Sequence, residues 1–202
     1  DGFGTWGGHL RPPSYSPQAY YVDFDEALAA FASAGVDARR LVQGATYCCG
    51  EKSWGADLRT YAERFASSLR SISYHRYPDV NNATTSVATL LDDGCASGVA
   101  AVVAPFAVAA LSQGVPFFIG EGNSVNGGGL PNISDVWASG LWAADVMFNV
   151  ASVGATRWNW HGGPGGSYAA ITYRNASNPD EPPVVHPIFY GLATFAHVAA
   201  NG

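Results

Sequence analysis

Charge is scarce in this sequence: 13% of its residues are Asp, Glu, Lys or Arg, about half the usual share. With a net charge of −6 and no basic cluster, the chain lacks the electrostatic footprint of a nucleic-acid partner. No apolar run reaches the roughly 18 residues of a membrane span. The longest, Val99–Leu111, is followed by the helix stop Ser112-Gln113-Gly114. No signal peptide is visible, and the chain opens on Asp1 rather than Met, so its N-terminus is expected to be processed or missing. Several catalytic motifs are also missing. There is no GxSxG elbow for a serine nucleophile, and no Gly-Lys-Ser/Thr follows a glycine loop. His75, His161, His186 and Glu121 are ligand types, but no HxH or HExxH spacing joins them, so neither metal nor other cofactor is expected.

What is abundant is glycine, at 24 residues, together with six Trp and ten Tyr. Most of the aromatics will be core, but aromatic faces also stack on sugar rings. Three sequons, at Asn82, Asn132 and Asn175, favour a secretory route and hence a secreted, extracellular or lysosome-like location. Of the three cysteines, Cys48 or Cys49 is expected to bond to Cys95, leaving another for a partner outside this chain.

Residues 1–202 are enough for one domain with a real core, and no linker or repeat divides them. Helical and strand-like segments alternate. Ser16-Pro17 opens a helix stopped by Gly35. Arg40–Tyr47 reads as a strand, and Ala56–Leu69 as a helix with Leu58, Tyr61, Phe65 and Leu69 on one face. A short strand Ser71–Tyr74 follows. Next come an apolar helix Val99–Ser112, preceded by a helical stretch at Thr85–Asp92, and a strand Pro116–Gly120. Ser134-Asp135 is expected to cap a helix reaching Val153. Ala155–Trp160 is a strand, Tyr168–Pro187 a long loop, and Ile188–Ala200 the last helix. This is a βα pattern with four strands. Four parallel strands cannot close a barrel, which needs eight and about 250 residues. The chain is therefore a small open sheet or half of a barrel.

The polar residues favour the half-barrel, because barrel strands end at one mouth. The four strand ends supply Tyr47, His75 with Tyr77, Glu121 with Asn123, and Asn159 with His161. Glu121 follows the apolar run Val115–Gly120 and opens a loop of almost no bulk, Gly122–Gly129. The chemistry suggested is a carboxylate held by Tyr and Asn donors, with glycine-rich loops leaving space for a substrate.

Gly120-Glu121-Gly122-Asn123-Ser124, the glycines Gly127-Gly128-Gly129, and Ile133–Ala138 with Leu141–Asp145 resemble the heparanase and β-glucuronidase family of glycoside hydrolases (family 79). So do Ser73–Pro78, Asn159–Gly163 and Pro187–Leu192. Order and spacing fit the second half of that family's (β/α)8 TIM barrel, about strands 5–8, across essentially the whole chain. The resemblance implies a retaining hydrolase acting on glycosides or polysaccharides that contain glucuronic acid. Glu121 would be the nucleophile and Tyr77 the tyrosine beside it. His75, Asn123, Asn126, His161, Gly163 and Tyr168 would hold the sugar, Asn126 falling where relatives carry Tyr. One departure matters: the family's acid/base lies in an Asn-Glu-Pro motif, which this sequence does not contain. The expectation is a fragment lacking that Glu, the first half-barrel and a β-sandwich domain, and inactive alone. Glu51 is a weak substitute, being in a loop. The alternative is a carbohydrate-binding remnant of such a barrel without catalysis. Heparan-type endo action fits less well, since no basic cluster exists to meet a sulfated chain.

Overall fold

The computed structural model describes residues 11–12, 14–48, 57–78, 82–162, 166–173, 180 and 182–201. Cys49, Glu51, Asn175 and Gly163 lie outside them. Two compact units divide the chain: Asp1–His75, Pro105–Gly120 and Gly154–Arg157 in one, and Arg76–Ala104, Glu121–Val153 and Trp158–Gly202 in the other.

The first unit opens with α1 (Pro17–Ser33), where Ser16 is extended and accepts a hydrogen bond from the Ala19 N–H, with Pro at the first turn. A short helix α2 (Ala38–Leu41), capped by Asp37, takes Arg40 and Leu41 out of the expected strand. The Asp37 side chain satisfies the Arg39 N–H, so the chain turns once before extending. β1 (Gln43–Cys48) pairs parallel with β2 (Ser71–Arg76), which is two residues longer than its sequence suggested. Their register slips between Gly44 and Tyr47, where Ala45 has a φ of 37°. Between them runs α3 (Leu58–Phe65), whose Leu58, Tyr61 and Phe65, with Leu69 beyond, are all buried as their spacing predicts. With β3 (Phe117–Gly122) and β4 (Ala155–Trp160), the sheet order is β1-β2-β3-β4. It is an α/β fold with a parallel sheet, and among the described residues no barrel closes.

Tyr20, Tyr21 and Phe24 of α1 pack on Tyr47 of β1 and on Tyr61 and Phe65 of α3, with ring centroids as close as 5.0 Å. Burial pushes the phenols of Tyr20, Tyr21, Tyr47 and Tyr61 above the ordinary 10.0. Tyr15 is pushed up to about 12 by burial and by its hydrogen bond to Asp23. The folded state thus holds these protons more tightly than the unfolded chain. The resulting stability is fully present below pH 10 and is lost as pH rises through the folded values, to 12 and beyond. We expect thermal stability to fall above pH 10, with the buried tyrosines ionising only as the chain unfolds. Absorbance titration showing all ten tyrosines ionising near pH 10 in a folded chain would contradict this.

Between β2 and β3 lie α4 (Val87–Leu90) and α5 (Asp93–Ser112). The apolar helix therefore begins six residues earlier than its hydropathy suggested. At 20 residues and a mean hydropathy of 2.0 over 18 of them, it is long and apolar enough to cross a bilayer by those two measures. Here it is the crossover helix, with a buried stripe of Ala96, Val99, Val103, Ala107 and Ala110 at helical spacing.

In the second unit, α6 (Trp137–Ser152) packs on α7 (Pro187–Asn201). Glycine is required at their crossing: a Cβ on Gly140 would lie 2.6 Å from the Pro187 carbonyl oxygen, and one on Gly191 would collide with the Gly140 backbone. Ser134 does not cap α6; the N-cap is Val136, with no side-chain hydrogen bond. The expected long loop carries a two-stranded antiparallel ribbon, β5 (Ile171–Thr172) with β6 (Val184–Val185). Cys48 is disulfide-bonded and Cys95 takes no part in a disulfide, so a Cys48–Cys95 bridge is not formed.

Candidate active site

The site lies at the ends of three strands, and its residues Tyr77, Glu121, His161 and Tyr168 all belong to the second unit. Tyr77 directly follows β2. Glu121 lies inside the end of β3 rather than opening the loop, so its backbone is part of a regular strand. His161 follows β4, and its N–H donates to the Gly122 carbonyl at 3.1 Å, tying the two strand ends together. Trp158 adds a second tie, its indole N–H donating to that same oxygen at 3.1 Å. Beyond His161, the chain brings back Tyr168, buried at 3% exposure.

Four side chains meet here. The Tyr77 hydroxyl donates to Glu121 Oε1 at 2.7 Å and lies 2.9 Å from His161 Nδ1. The Tyr168 hydroxyl lies 2.7 Å from the same nitrogen, and Glu121 Oε1 is 3.7 Å from it. Burial pushes the Tyr77 phenol up, and its hydrogen bond to Glu121 pushes it further. Tyr77 is thus a neutral donor throughout the neutral range. Burial also raises the Tyr168 phenol, partly offset by the Tyr77 hydroxyl beside it. The side chains of Glu121 and His161 stay open to solvent, at 35% and 48% exposure, so a ligand can reach the carboxylate.

The glycine loop behind Glu121 turns through Gly127, Gly128 and Gly129 at φ of 71°, 101° and 83°, a left-handed run that side chains rarely tolerate. Asn126 sits on this turn, half-buried. Asn123 is 1% exposed and borders the cavity lined by Trp160, His161 and Tyr168. Its Nδ2 donates to the carbonyls of His161 at 2.7 Å and Tyr168 at 3.2 Å, and its Oδ1 accepts from the Ser124 N–H. Expected as a sugar contact, Asn123 is engaged wholly with backbone. His75 is buried beside Gly120 in the first unit, and Tyr47 belongs to the aromatic cluster. Among the described residues no three His, Cys, Asp or Glu side chains gather as a metal site; His186 Nε2 is bonded to the Thr172 hydroxyl.

The tryptophans were the part that the sequence reading passed over. Trp158 and Trp160 stack at 4.7 Å on one side of β4, with Trp142 of α6 edge-on to both. The signal for it was the alternation Trp-Asn-Trp, which puts both indoles on one face of a strand.

No family model matches the chain, and no curated protein matches it. Solved structures do. A 4-O-α-L-rhamnosyl-β-D-glucuronidase from Fusarium oxysporum 12S, solved with Rha-GlcA, superposes with a TM-score of 0.73 and 22% identity over 90% of this chain. The GH51 arabinofuranosidase from Xanthomonas axonopodis pv. citri does so with a TM-score of 0.57 and 11% identity over 93% of it. The fold is that of a glycoside hydrolase. The chain spans 38% and 39% of the length of those two structures.

Proposed function

We propose that this chain carries the nucleophile of a retaining glycoside hydrolase that cleaves β-glucuronides. The observation that carries the reading is the 2.7 Å hydrogen bond from Tyr77 to Glu121, a solvent-reachable carboxylate at a strand end. A phenol that stays neutral is a fixed donor to that carboxylate and orients it as a nucleophile must be oriented. Glu121 attacks the anomeric carbon as the bond to the leaving oxygen breaks, forming a glycosyl-enzyme. A second carboxyl group protonates the leaving oxygen, then takes a proton from the water that releases the sugar.

That second group would come from the complete protein. In this reading β1 to β4 are strands 5–8 of a (β/α)8 barrel, and the Asn-Glu-Pro acid/base belongs to the other half. The family resemblance of the Glu-Gly-Asn-Ser stretch points to glucuronides. The glucuronidase named above supports it, being the neighbour with the higher TM-score. The Cys48 disulfide and the sequons fit maturation in an oxidising compartment.

The test is to assay the complete protein on an aryl β-D-glucuronide beside an aryl α-L-arabinofuranoside, following the released sugar by proton NMR. We expect glucuronide turnover, with the β anomer appearing first. An α anomer first would sink the retaining mechanism. Turnover of the arabinofuranoside alone would transfer the site to that substrate class. Binding of glucuronide without hydrolysis would favour a carbohydrate-binding remnant.

A further inference from the structure

We propose that Asn123 is a positioning residue: it holds His161 with a proton on Nδ1, and this leaves the single hydroxyl proton of Tyr77 for Glu121, a consequence that rests on the nucleophile reading above. The argument begins with which atoms can donate. A carboxylate has no proton to give, so the 2.7 Å contact between Tyr77 and Glu121 uses the only proton on the Tyr77 oxygen. That oxygen is then an acceptor toward His161 Nδ1, 2.9 Å away. A bare lone pair on Nδ1 would face another lone pair there, a repulsive contact. A proton on Nδ1 satisfies it, and is shared with the Tyr168 oxygen at 2.7 Å on the same nitrogen. With the opposite tautomer, Nδ1 would accept a proton. It would take that proton from the Tyr168 hydroxyl, and the Tyr77 oxygen, its own proton given to Glu121, would be left 2.9 Å from the nitrogen with no hydrogen between them.

Asn123 makes this arrangement rigid. Its amide orientation is fixed by chemistry, because one end faces the Ser124 N–H and must be oxygen, while the other faces two carbonyls and must be nitrogen. The two carbonyls belong to His161 and Tyr168, the residues whose side chains meet at Nδ1. One buried amide therefore sets both backbones, and the Gly122 carbonyl fixes His161 from its N–H side. Small displacements matter here, since hydrogen bonds weaken steeply with poor geometry.

Nitrogen-15 NMR of the histidine rings in the full chain tests this without any hydrolysis. With the ring neutral, His161 is expected as the Nδ1–H tautomer; an Nε2–H ring overturns the proposal. A coupling is also expected across the hydrogen bond from the Asn123 side-chain nitrogen to the His161 carbonyl carbon. Its absence overturns the clamp, even where variants fail to fold. In Asn123→Ala, which removes both donors, and Asn123→Asp, which sets oxygens against two carbonyls, the ring is expected to lose its single tautomer. A folded variant that keeps a pure Nδ1–H ring argues that Asn123 is structural only, and sinks its positioning role. A chain with the expected ring but no glycosidase activity would sink the functional reading and leave the proton assignment standing.

Discussion

Glu121→Gln is expected to lower turnover of an aryl β-glucuronide by the complete protein about 10⁴-fold or more, as loss of a covalent nucleophile does. That corresponds to roughly 5.5 kcal/mol of lost transition-state stabilisation. The substitution is nearly isosteric, and a carboxamide oxygen still accepts from the Tyr77 hydroxyl, so the surroundings should hold their positions. What disappears is the negative oxygen that attacks the anomeric carbon. Substrate binding should change far less than turnover, because the lost interaction forms in the transition state. The check is kcat and KM together with the melting temperature. A variant with near wild-type kcat would remove Glu121 from the chemistry. One that loses activity only because it melts early would leave the assignment to a gentler variant, Glu121→Asp, whose shorter carboxylate keeps its charge but falls short of the sugar.

Which parts of this site could be read before the structure depended on how far apart the partners lie in sequence. β4 was legible to its boundaries, since Gly154 stops the preceding helix and Trp-Asn-Trp alternates. The start of α5 was not: Gly94 and Gly98 disfavour a helix interior, while Asp92 accepts from the Gly94 N–H at 2.8 Å and satisfies the first turn. Ser134 looked like a cap, but its hydroxyl meets Ser124 and accepts from the Leu130 N–H instead. Asn123 was expected to touch the sugar, and its side chain bonds to backbone in the structure. Its partners lie 38 and 45 residues downstream, and no local pattern says what a buried amide will face. Glu121 and Tyr77, by contrast, were expected at strand ends, and the structure joins the two side chains by a hydrogen bond.

Trp142→Ala should cost about 3–5 kcal/mol, the usual range for deleting a large buried aromatic. Trp142 is 1% exposed and sits edge-on to Trp158 and Trp160 at 6.3 and 5.7 Å. Removing it opens a cavity behind the end of β4, the strand that presents His161. For a chain of this size the melting temperature should drop by on the order of 10 °C. Trp142→Phe is the informative companion. The indole N–H of Trp142 is buried and finds no acceptor among the described residues. A buried donor without a partner costs about 1–3 kcal/mol. Phe discards that donor along with part of the ring, so its net cost should be less than half that of Ala. Calorimetric melts of the three chains decide it. Equal losses for Phe and Ala would mean that the N–H is satisfied, and no loss for Ala would mean that the three indoles do not form a packed unit.

Glu121 is woven into β3, while the glycine turn beyond Asn123 hangs clear of it: side chains built on Gly127 and Gly128 would touch nothing within 4 Å. On the reading proposed above, reactivity and selectivity are therefore inherited separately. The strand that holds Glu121 cannot drift without breaking the sheet. The turn can gain bulk at Gly127 and Gly128 where residues that accept the left-handed backbone are used, but not at Gly129, whose Cβ would lie 2.9 Å from the Tyr168 backbone nitrogen. On that same reading, a lineage built on this scaffold would change the sugar it recognises through this loop while the carboxylate keeps its place in the strand.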